Sequence, residues 1–81
     1  MEQSVKTFPF RHGQKSARRE EEQRQLQSCM EEVRRSLNQA YTAFNMADDA
    51  DWIESCVFEI NALQARYNYL LRQAKWLEEQ V

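Results

Sequence analysis

The chain has 81 residues, of which 42% are hydrophobic and 30% charged, with a formal net charge of −2. That length supports one small domain at most, near the lower limit at which a single core holds itself together. One Gly and one Pro leave little material for tight turns, no stretch alternates like a strand, and the slightly acidic balance excludes a generally basic nucleic-acid binder.

In chain order, residues 1–15, MEQSVKTFPFRHGQK, hold the only Pro, Gly and His and show no helical period. They read as a flexible tail. An early acid and the lack of an apolar stretch argue against a secretory leader. Nothing in the chain approaches the ~18 consecutive apolar residues of a membrane span. The expectation is a soluble, cytoplasmic protein with no membrane partner and with reduced cysteines.

The spacing then predicts helix one over about residues 16–45. Leu26, Met30, Val33, Leu37, Ala40 and Phe44 fall at alternating steps of four and three, the seam of a packed helix. Ser16 is placed to cap it, and Glu20, Glu21 and Glu22 lie early enough to favour the positive end of the helix dipole. Glu20 with Arg24 and Glu31 with Arg35 are i,i+4 pairs in the favourable order.

A turn over residues 46–49 follows, with Asp48 or Asp49 expected to accept hydrogen bonds from the free N–H groups of the next helix. Helix two is predicted over about residues 50–80. Ile53, Cys56, Ile60, Leu63, Tyr67, Leu70, Ala74, Leu77 and Val81 repeat the three–four spacing without a break. Two helices joined so briefly must lie antiparallel, so the fold expected is an all-α, coiled-coil-like two-helix hairpin. With Phe44 facing Ile53, Leu37 lies opposite Ile60, Met30 opposite Tyr67, and Leu26 near Leu70. The same register sets Arg66 beside Glu31 and Glu59 near Arg35 and Asn38, predicting ion pairs across the hairpin.

Helix two has apolar residues to spare. Phe58, Ala62, Ala65, Tyr69 and Trp76 form a second stripe, about 200° of rotation from the first at its start, and Val57 and Leu71 widen the first. Ala74, Leu77 and Val81 find only Gln23, Glu20 and Ser16 opposite them. Leaving large side chains wet forgoes about 1.5–3 kcal/mol each, a serious loss for a small domain. Phe58, Tyr69, Trp76 and Leu77 are therefore the candidate partner-binding residues, for self-association into a helical bundle or for docking an unidentified protein. The alternative is cover from Val5, Phe8 and Phe10 of the tail, or simple tolerance of exposed aromatics.

Chemistry is sparse. His12 is the only histidine and has no nucleophile or carboxylate placed to join it. Cys29 and Cys56 fit no metal pattern and are too far apart along the hairpin for a disulfide. They read as packing thiols, and Cys56 should be buried. The acidic DDAD, residues 48–51, lacks the Gly and closing Glu of a calcium loop, so it reads as a helix cap. No catalytic residue, cofactor or metal is implied. Arg11, Lys15, Arg18 and Arg19 could neutralise a few phosphates, making a nucleic-acid accessory role the rival reading. TFPF, residues 7–10, is a weak docking-motif candidate.

Residues 44–75, FNMADDADWIESCVFEINALQARYNYLLRQAK, resemble the YaaL-like family of small bacterial proteins, a domain of unknown function. Phe44, Asn45, Asp49 and Asp51 match its Phe-Asn and its turn aspartates. Glu59–Ala62 and then Arg66, Tyr67, Tyr69, Leu70 and Leu71 match its middle and its ending. Trp52, Ile53 and Glu54 stand where Leu, Ile and Asp are usual. Ala50 replaces a frequent Pro at the first helical position, where both residues are suited. The resemblance implies a cytoplasmic helical hairpin of a bacterium, its gene sometimes near that of a recombination mediator, and no known activity.

Overall fold

A computed structural model describes residues 8–79, with the side chains of residues 17–79. Two helices account for nearly all of it: α1, Phe8–Met46, and α2, Ala50–Glu79. They pack antiparallel in a rod of 66 × 21 × 15 Å. The expected all-α hairpin is the fold.

The connection is three residues, Ala47–Asp49, and no residue in it needs a left-handed backbone. Ala47 N–H donates to Phe44 C=O at 3.3 Å and closes the end of α1. Asp49 opens α2: one carboxylate oxygen accepts from Asp51 N–H at 2.8 Å and from Trp52 N–H at 3.1 Å. Its own carbonyl accepts the first helical bond, from Ile53 N–H, at 2.8 Å. Of the two aspartates, Asp49 is the cap, and Asp51 adds negative charge to the first turn, where the dipole favours it.

Helix α1 starts eight residues before the expected Ser16. The boundary therefore shifts, and residues 8–15 belong to the helix; residues 1–7 lie outside the described part. Pro9 is tolerated because an N–H in the first turn has no partner within the helix. Gly13 costs about 1 kcal/mol relative to Ala, and the Gln, Lys, Ala and Arg residues that follow are good helix formers. Being 39 residues long against 30 for α2, α1 runs past the end of its neighbour.

The core is narrow. Val33 and Ala40 of α1 join Ile60 and Leu63 of α2, with Leu37, Tyr67 and Leu70 packed against them. Cys56 and Leu77 complete the buried set. These are seam positions of both helices, while Phe44, expected to face Ile53 at the end of the seam, is 37% exposed. The ion pairs expected across the hairpin are not formed among the described residues: nothing joins Arg66 to Glu31 or Glu59 to Arg35. The polar links are instead Arg34 Nη2 donating to Tyr67 Oη at 2.9 Å and Gln64 Nε2 donating to Tyr41 Oη at 2.9 Å.

Candidate association surface

The surface follows from the helix period. Cys56, Ile60 and Leu63 turn α2 toward α1, which leaves residues about half a turn away facing outward. On that outer side Ser55, Phe58, Ala62, Ala65, Tyr69, Arg72 and Trp76 fall at steps of 3, 4, 3, 4, 3 and 4, and every one is exposed. Among the described residues, nothing covers this second heptad seam. Phe58 is 65% exposed, Tyr69 51% and Trp76 57%. Ala62 and Ala65 lie between the large residues and keep the middle of the stripe low.

Beside this stripe runs a groove of about 350 Å³ between the two helices, lined by Leu26, Cys29, Tyr69, Gln73, Trp76 and Leu77 among others. Tyr69 and Trp76 thus wall the groove and belong to the outer seam as well. At the turn, Ala43, Met46 and Trp52 border a second hollow. Met46 is 69% exposed there.

Three of the four candidate contact residues, Phe58, Tyr69 and Trp76, lie together on the outer side. Leu77 does not: it is 5% exposed and turned into the hairpin, so it is a core residue. Its place in the groove lining with Leu26 and Glu22 shows that α1 still has carbon to offer at this level. A glutamate or glutamine stem covers apolar surface while its head stays wet, which a reading that scored Glu20 and Gln23 as polar overlooked. The Met46–Trp52 patch was missed as well. Its signal was present, since two large apolar residues flank a three-residue turn.

The basic candidates lie on the first part of α1. Arg18 is exposed and Arg19 partly covered; Arg11 and Lys15 are helical in backbone, and their side chains fall outside the described set. His12 has the same status. Among the described residues no three metal-binding side chains come together, and no helix is long and apolar enough to cross a membrane. Both cysteines are free, Cys29 exposed and Cys56 buried.

The structure thus defines a class: a small two-helix hairpin with a covered seam and an uncovered one. The chain belongs to the family described as protein of unknown function DUF2508, whose model matches residues 9–78. The YaaL-like resemblance of residues 44–75 is consistent with that family. No curated protein and no solved structure shows significant similarity to the chain.

Proposed function

We propose that this protein acts by self-association through the outer side of α2 and performs no catalysis of its own. The observation that carries the reading is the exposure of Phe58, Tyr69 and Trp76 on a single heptad stripe, in a chain whose internal core is so narrow. Exposed apolar residues are ordinary when scattered and informative when contiguous. Here they keep the spacing by which helices pack. Aromatic anchors on a small-residue background are also the composition that interface centres favour.

Solution mass at micromolar concentration, from sedimentation or light scattering, tests it. The full chain is expected above the mass of one molecule. Trp76→Ala combined with Tyr69→Ala is expected to return it to one molecule while helix content by circular dichroism is retained. A wild-type chain that remains single and folded at these concentrations sinks the reading, and so does a double variant that assembles unchanged.

A further inference from the structure

The outer seam constrains its occupant, and the first candidate is the leader of the chain itself. Residues 8–15 are already part of α1, and residues 1–7 precede it. Fully extended, seven residues span about 25 Å. Helical rise sets the level of Tyr69 roughly 33 Å, and that of Phe58 roughly 50 Å, along the rod from Phe8. Such a segment falls short of both and reaches only the level of Trp76, about 22 Å along, so it cannot cover the stripe.

We infer that the occupant is a second copy of the hairpin, packed α2 against α2, antiparallel, about a two-fold axis at the level of Tyr67. This rests on the self-association reading above and specifies its geometry. The seam positions 58, 62, 65, 69, 72 and 76 are symmetric about residue 67, so the antiparallel arrangement pairs each with another member. Phe58 of each copy meets Trp76 of the other, Tyr69 lies over Ala65, and Arg72 lies across from Ala62. Large residues meet small ones near the axis, and aromatic pairs close both ends. A parallel pair fits worse. It would set Ala62 and Ala65 against their own mates, leaving a gap between bulky layers, and would stack Arg72 on Arg72 inside the seam. Antiparallel pairing separates the two guanidiniums and lets each stem run out to water.

Area supports the same occupant. At about 200 Å² per aromatic side chain, the exposures of Phe58, Tyr69 and Trp76 leave on the order of 350 Å² per copy on three rings. A two-fold pair doubles this to roughly 700 Å², with Ser55, Ala62, Ala65, Arg72 and the rims still uncounted. Specific interfaces begin near ~1,200 Å², a total within reach of a seam this long.

Distance between spin labels tests the arrangement. In a Cys29→Ser background the remaining thiol, Cys56, is 2% exposed and shielded from reagent, and Glu54→Cys places one nitroxide on an exposed position outside the seam. The antiparallel pair sets the two labels about 40 Å apart, from helical rise; a parallel pair sets them within about 25 Å. Phe58→Asp, measured for mass and helix content, is expected to give single folded chains. A dimer with the short distance, or one that survives Phe58→Asp, overturns this geometry and leaves self-association standing. A wild-type chain that stays single overturns both.

Discussion

Cys29 and Cys56 are the same residue type on neighbouring helices and meet opposite surroundings. Cys56 occupies a seam position and is 2% exposed, whereas Cys29 sits one step off the seam, at the groove wall. Exposure governs access of a reagent to a thiol. An aromatic disulfide reagent should therefore consume one equivalent at once and the second only as the hairpin opens. Two fast equivalents would mean that the first turns of α2 separate from α1 in the native state. Glu21 shows how little a surface ion pair decides. Arg24 Nη2 donates to it at 2.7 Å, an i,i+3 pair in place of the expected partner Glu20. That hydrogen bond first, then the charge of Arg24 and a bond from Gln25, hold its carboxyl below the usual range. A lowered carboxyl pKa contributes stability above its unfolded value, lost as acid titrates the folded group. For a group this exposed the effect is slight.

At the scale of elements, α2 is the organised helix and its first turn is where it is set. Asp49 satisfies two N–H groups that would otherwise lack partners. Asp49→Ala should cost about 1 kcal/mol in denaturant unfolding, whereas Asp48→Ala, one residue outside the cap, should cost little. Equal losses from the two would move the start of the helix. One of the two polar links between the helices is made by Arg34 and Tyr67. The guanidinium carbon lies 5.6 Å from the ring centroid, near the outer limit of ~6 Å for a cation over a ring. A nitrogen of the same guanidinium is bonded to the hydroxyl at 2.9 Å, and that hydrogen bond carries the contact. The bond to Tyr67, then the charge of Tyr67, and Glu31 after them, raise the pKa of Arg34. That leaves its charge at neutral pH untouched.

For the whole molecule, the proposed self-association would give a rod with so narrow a core what it cannot gain from itself. Small domains bury a low fraction of their surface, and a second copy of the same rod is the partner always present at the concentration of the protein. The rival reading is decided at this scale too, because phosphate binding sums over charges and falls steeply with salt. Labelled single-stranded and duplex DNA should show no change in anisotropy with the full chain at low ionic strength. Binding that appears there and fades with added salt would restore Arg11, Lys15, Arg18 and Arg19 as a contact surface.

The two helices, their antiparallel pairing, the centre of the buried seam and the choice of an aspartate cap were all legible in the residues, whereas Phe44, placed on the seam by its spacing, stays exposed. Each follows from a local rule: the spacing of apolar positions, the shortness of the turn, the hydrogen-bonding reach of a carboxylate. The outer stripe through Phe58, Tyr69 and Trp76 was legible for the same reason. Only the packed structure decided that Leu77 belongs inside, that tyrosine hydroxyls take up Arg34 and Gln64, and that α1 begins at Phe8. Those outcomes depend on how far long side chains extend across the groove between two helices. That reach is a property of the pair, and neither helix carries it alone.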